Sequence, residues 1–141
     1  MRLYQALYKY YQTISGITDL VSTRVYDMHA DQGRLVSYPA MVIEVVDDEQ
    51  YHMLGGGAPT ATRRPVNIYC LAVGNNKAAE DLADLVYSNT ITAAAAITTA
   101  AGSLTVTSCH LNGRRNEFEN ELETDQKLYS VILDFDFIHN L

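Results

Sequence analysis

Two stretches of strict alternation, far apart in the chain, set the strongest constraint on its fold. In the first, Val66, Ile68, Cys70 and Ala72 fall on one side of an extended chain, with Asn67, Tyr69, Leu71 and Val73 on the other. In the second, Val131, Leu133, Phe135 and Phe137 share a side opposite Ile132, Asp134, Asp136 and Ile138. Strands of period two with an apolar side predict a sheet with one face covered, so another part of the chain must supply the cover.

The N-terminal residues are suited to that task. Leu3, Ala6, Leu7, Tyr10, Tyr11 and Ile14 recur at the spacing of a single helical stripe, and Gly16 is expected to end the helix. Tyr4 and Tyr8 widen the stripe with large rings that carry polar tips, which suits either core packing or contacts between subunits. A second helix is expected from near Asn76, its cap, to about Ser88–Asn89, with Ala79, Leu82, Ala83, Leu85 and Val86 as its apolar stripe. Glu80 and Asp81 lie toward the positive end of its dipole. The alanine and threonine run over 90–101 reads as a short further helix.

Thr18 or Asp19 is expected to cap a short turn reaching Ser22, and the stretch Arg24–Met28 to form a brief strand. Tyr38-Pro39 gives an extended entry to the apolar run Ala40–Val46, a central strand. From Asp47 to Arg64 neither period is visible, and Gly55, Gly56, Gly57 and Pro59 fall there, so a long mobile connection between antiparallel strands is expected. The C-terminal part reads as three strands, Leu104–Leu111, Asn116–Thr124 and Lys127–Ile138, with the last two forming a hairpin. The fold class is therefore α+β: a small, mainly antiparallel sheet with two helices packed on one face, in a single domain over 1–141.

With 141 residues, the chain can bury a sizeable core without disulfides or metals. Its net charge of −7 argues against a broad basic face that grips nucleic acid. The opening residues lack the pattern of a secretory signal, and no run approaches the roughly 20 apolar residues of a membrane span, so a soluble intracellular product is expected with no membrane partner. Cys70 and Cys109 sit in apolar or threonine-rich surroundings, as reduced buried thiols do.

Candidates for bond chemistry are few. Gly55–Gly57 is followed by Ala58-Pro59-Thr60 rather than by the lysine and hydroxyl residue of a phosphate loop, so flexibility is the reading there. Cys109 and His110 are adjacent, which on a strand sends them to opposite faces. No paired ligand spacing points to a metal, and no cofactor is expected. Glu117, Glu119, Glu121 and Glu123 alternate, so a strand places their carboxylates on one face, either as a solvated hairpin or as a surface that repels passing DNA. Arg63-Arg64 and Arg114-Arg115 are paired cations expected at loop–strand junctions, placed to grip acidic patches on a neighbour or simply solvated.

The order of these elements resembles the tail terminator, or tail completion, proteins of long-tailed bacteriophages and gene transfer agents. The parts that carry the resemblance are the first helix with Leu3, Leu7 and Ile14, then Arg24-Val25-Tyr26-Asp27, Tyr38-Pro39 before Met41-Val42-Ile43, and the long loop. They continue with Val66-Asn67-Ile68-Tyr69, the helix of Ala79, Leu82 and Ala83, and the final strand with Phe135 and Phe137. The alanine–threonine segment over 90–101 departs from that pattern.

The resemblance implies a structural virion protein, not an enzyme, made in the host cytoplasm. It would form a ring with itself, commonly a hexamer, cap the tail tube protein, end tail polymerisation and present a docking surface to the head–tail connector. DNA would pass through the lumen without specific binding. In that setting Asp48, Glu49, Gly55, Gly56, Gly57, Pro59, Arg63 and Arg64 are the expected assembly loop, and Glu117, Glu119, Glu121 and Glu123 the expected acidic lumen or exposed hairpin. Tyr4, Tyr8, Arg114 and Arg115 are the expected subunit contacts. Other head–tail components, an adaptor or a tube subunit, remain open, as does a small α+β hydrolase built on Cys109 or His110.

Overall fold

The structure, a computed structural model, describes residues 3–28, 38–46, 49–51, 61–101, 104–120 and 127–140. The chain runs α1 (Leu3–Gln12), α2 (Ser15–Val21), β1 (Val25–Asp27), β2 (Ala40–Val45), β3 (Glu49–Tyr51), β4 (Ala61–Val73), α3 (Asn76–Thr90), α4 (Ala94–Ala101), β5 (Val106–Asn120) and β6 (Lys127–Asn140). The sheet order is β1-β2-β4-β6-β5, with β3 also paired to β4. Among the described residues only the β1–β2 pairing is parallel. The fold is α+β, as the alternating strands and apolar helical stripes require.

One face of the sheet carries the core. Met41 and Ile43 of β2, Val66, Ile68 and Cys70 of β4, and Val131, Leu133, Phe135 and Phe137 of β6 are all buried there. All four helices contribute to the same cluster: Leu7 and Tyr11 from α1, Ile17 and Val21 from α2, Leu82 and Val86 from α3, and Ile97 from α4. Among the described residues four helices, rather than two, cover the sheet. The extra pair is α2, a helix of two turns where only a short turn reaching Ser22 is expected, and α4, the alanine–threonine run, which is helical as its composition suggests.

The break falls earlier than Gly16. Helix α1 ends at Gln12, the Thr13 hydroxyl donates to the Tyr10 carbonyl, and Ile14, with an extended backbone, precedes α2. Gly16 lies inside the first turn of α2 and does not stop a helix. Thr18 and Asp19 lie within α2 as well; Thr18 donates its hydroxyl back to the Ser15 carbonyl instead of capping. Helix α3 is capped by Asn75, one residue before the expected Asn76, with the Lys77 N–H donating to its side chain at 2.9 Å. The left-handed Gly74 (φ 76°) turns the chain from β4 into that cap.

Two sequence boundaries move. Arg63, Arg64 and Pro65 belong to β4, which starts at Ala61, so the expected connection from Asp47 to Arg64 is shorter, and β3 lies within it. The stretches read as Leu104–Leu111 and Asn116–Thr124 are one strand, β5, continuous through Gly113 as far as Asn120. Register shifts between Val106 and Ser108 and between Leu111 and Gly113 absorb the irregularity that had suggested a gap. Asp48, Gly55, Gly56, Gly57, Pro59, Glu121 and Glu123 lie outside the described residues.

The helices are fastened to each other by tyrosines. The Tyr11 hydroxyl meets the Thr90 hydroxyl at 2.7 Å, fully buried, and Tyr10 donates to the Asn89 carbonyl, so α1 is joined to the end of α3. Burial drives the Tyr11 hydroxyl far above its ordinary pKa, and it stays neutral as a hydrogen-bonding group.

A Cβ added to Gly16 would lie 3.6 Å from the Leu85 side chain, an ordinary contact. Gly16→Ala is therefore expected to stabilise the protein by about 0.5–1 kcal/mol, through the lower entropy of the unfolded chain and added packing. Urea unfolding measures this; a loss of stability would mean that the α2 backbone requires glycine.

Candidate functional site

The second face of the sheet collects polar side chains above a small apolar floor. Ala40 and Val42 of β2, Leu71 of β4 and Ile132 of β6 are buried on this side. Beside them Glu44 accepts hydrogen bonds from the Asn67 amide at 3.0 Å and the Tyr69 hydroxyl at 3.1 Å. Burial, and then the Glu44 carboxylate, raise the Tyr69 pKa, so the hydroxyl is held as a donor. The alternation of β4 produces this arrangement, because Asn67 and Tyr69 sit opposite the buried Ile68 and Cys70.

Toward the other end of β6 a buried carboxylate gathers three partners. Asp136 is 3% exposed, and Arg63 reaches it through Nε at 2.9 Å and Nη2 at 2.7 Å. His110 Nε2 lies 3.5 Å away. Burial alone would raise the Asp136 pKa, but hydrogen bonds from the Asn112 and Arg63 side chains and the charges of Arg63 and His110 outweigh it and hold the carboxyl below its usual range. Both Arg63 nitrogens meet the same oxygen, Oδ2.

The second arginine pair divides between the faces of β5. Arg114 faces the helices and forms an ion pair with Asp84 of α3 at 2.7 Å, while Asn116, two residues on, donates to Glu80 at 3.1 Å. Arg115 points to the second face and pairs with Glu117 at 3.2 Å. These arginines lie within a strand, not at a loop–strand junction. Of the four alternating glutamates, Glu117 and Glu119 are on β5, opposite Ser130 and Leu128 of β6, and Glu117 is exposed.

Tyr4 and Tyr8 stand together on α1, half-buried against the edge of the core, ring centroids 6.2 Å apart. Tyr4 donates to the Val25 carbonyl at 3.2 Å, which ties the helix to strand β1 at the sheet edge. With Gln5 and Lys9 these rings line an open groove of about 300 Å³. Glu49 lies on β3, opposite Arg63 of β4.

Cys70 and Cys109 are free thiols on the helix-covered side, each pushed up to about 12, chiefly by burial. His110 is on the other face of β5, against Asp136, so Cys109 and His110 do not form a nucleophile–base pair. Among the described residues no group of three or more His, Cys, Asp or Glu side chains is placed to hold a metal ion. Nor is any described helix long and apolar enough to cross a membrane.

The Arg63–Asp136–His110 cluster was missed by sequence reasoning, which placed Asp136 only on the side of β6 opposite its aromatics. Its signal was the pair of carboxylates, Asp134 and Asp136, within the apolar run of β6, yet the partners of Asp136 come from β4 and β5 and become visible only with the register. No protein-family model matches the chain, and no curated protein sequence matches it. Among solved structures, the fold is similar to that of a chain in the structure titled "Virion of native gene transfer agent (GTA) particle", with a TM-score of 0.62 and 11% identity. The likeness covers 96% of this chain and 92% of that one, so it is a likeness of whole folds.

Asp136 binds its proton less tightly when folded than when unfolded, so its contribution to stability is present above the ordinary carboxylate pKa and is lost as pH falls through its lowered folded value. Asp136→Asn is expected to cost about 2–3 kcal/mol at pH 7. The gap from the parent should close below about pH 4, as read by urea unfolding across pH. The thiols generate a second expectation: Cys70 and Cys109 in the native protein should react with a thiol-specific disulfide reagent at pH 7.5 at least ~10-fold more slowly than in the urea-unfolded chain. Equal rates would contradict the burial of Cys70 and the partial burial of Cys109.

Proposed function

We propose that this chain is a structural virion protein of the tail-terminator kind, which forms a ring on the end of the tail tube, ends its growth and offers a surface for head joining. The observation that carries the reading is the likeness, over nearly the full length of both chains, to a chain from a gene transfer agent virion. It agrees with the order of elements on which the resemblance to tail terminators rests.

In this reading the work is assembly rather than bond making. A subunit that contacts its neighbours through two dissimilar surfaces generates a ring when its rotation closes, and a ring with unlike faces caps a filament on one side only. A hexameric ring with the β5–β6 hairpin toward its lumen would line the path with Glu117, Glu119, Glu121 and Glu123, and repulsion would keep DNA from adhering. The net charge of −7 per chain supports such a passage. Asp48, Glu49, Gly55, Gly56, Gly57 and Pro59 would form the joining surface toward the head connector. Arg63, bound to Asp136, would brace its base from β4, beside Arg64.

An adaptor or a tube subunit would share the same likeness, and their assembly behaviour separates them from a terminator. Purified protein mixed with tail tubes of its own particle is expected to give a ring at one tube end by electron microscopy, and tubes that no longer elongate when tube subunits are added. Self-polymerisation into tubes would assign it as a tube subunit. Tubes with bare ends would overturn the reading.

A further inference from the structure

Strand β5 ends the strand order, so among the described residues its outer edge has no hydrogen-bonded neighbour. Register shifts interrupt it between Val106 and Ser108 and between Leu111 and Gly113, as bulges do on edges that must stay unpaired. Beyond the second shift the strand is regular over 113–120, and its row of outward N–H and C=O groups is a template for another strand. Within that stretch Arg115 and Glu117 stand on the second face, their side chains 56% and 59% exposed. Arg114 and Phe118 stand on the helix side, and Phe118, at 64%, is the most exposed of the large hydrophobic side chains among the described residues.

We propose that the edge of β5 over 113–120 pairs antiparallel with the same edge of a second copy, about a two-fold axis that passes between the two Asn116 residues. The order of side chains carries this. Read backward about Asn116, the stretch Arg114-Arg115-Asn116-Glu117-Phe118 sets a glutamate where Arg115 stands and a phenylalanine where Arg114 stands. Arg115 of each copy therefore faces Glu117 of the other on the second face, and Arg114 faces Phe118 on the helix side. The two new ion pairs join the Arg115–Glu117 contact already within each strand into a closed circuit of alternating charge. On the helix side, a guanidinium against an aromatic ring is a favourable contact.

Charge also fixes the register. A two-fold axis between antiparallel copies of one strand passes between identical residues, so moving it to position 115 opposes two arginines and moving it to 117 opposes two glutamates. Like charges directly opposite are unfavourable. With the axis at Asn116 no like charges are directly opposed, and Glu119 falls opposite Gly113. The two helix layers then lie on the same side of one continuous sheet, with α3, packed on β4 and β6, set back from the shared edge. A two-fold contact closes on itself and does not propagate, so it belongs to the free protein and does not rest on the ring reading. It covers an edge that would otherwise invite uncontrolled pairing.

Sedimentation of the full chain over a concentration series tests this. The parent should form a dimer. Arg115→Glu sets glutamate against glutamate, and Glu117→Arg sets arginine against arginine, so each alone should weaken dimerisation by about 10-fold or more. Both side chains are exposed, and circular dichroism confirms the fold of each variant. An equimolar mixture of the two variants restores two complementary pairs across one interface, so it should recover heterodimers. Neither variant keeps its own Arg115–Glu117 contact, so this recovery cannot come from repair within a strand. The chain carrying Arg115→Glu with Glu117→Arg should likewise recover homodimers. A parent that stays monomeric, single variants that associate like the parent, or a mixture no tighter than either variant alone would overturn the edge contact. The capping of tail tubes is read separately by electron microscopy, so the ring reading stands or falls on its own.

Discussion

Strand β6 sets the register of the whole sheet. It is paired from Lys127 to Asn140 on one side or the other, with Val66 and Leu111 both opposite Phe135, and Ile68 and Arg114 both opposite Leu133. A slip of one residue would turn Phe135 and Phe137 out of the core and drive Asp134 and Asp136 into it. The cost of burying two carboxylates without partners far exceeds what any single helix contact contributes, so the slipped register is excluded whatever the helices gain. The four-helix layer and the Glu44 and Asp136 clusters all follow from the register that β6 sets.

Much of this was legible because period-two and helical patterns record burial directly. The apolar side of β4 and β6 and the stripe of α1 were visible residue by residue. Gly16 misled because glycine is a frequent terminator, whereas here Thr13 turns its hydroxyl back onto α1 and the chain restarts a helix two residues later. Strand β5 reads as two pieces with Arg114-Arg115 at a loop–strand junction between them, and only the pairing with β6 shows that the irregularity there is a bulge. Arg63 and Arg64 looked like loop residues because their neighbours are polar. Arg63 is in fact the partner that allows a buried Asp136 to stay charged, a relation that needs three strands to be aligned.

The candidate surfaces were legible to a different degree. Tyr4 and Tyr8 stood out by composition, and the structure joins them into one groove. Arg114 and Arg115 stood out as a pair, but neighbouring residues of a strand point apart, and the two serve different faces, one holding α3 and the other holding Glu117. Cys109 and His110 separate for the same reason.

The bonds from β5 to α3 also have a mechanical meaning. Arg114 with Asp84 and Asn116 with Glu80 attach the middle of a long hairpin to a helix that is itself packed on β4 and β6. Each bond is exposed and individually weak, but they act at successive positions along one strand. Bending the strand away from the helix at this point would therefore have to break both bonds together. The two bonds make β5 and α3 one rigid unit, so a displacement of either carries the other with it.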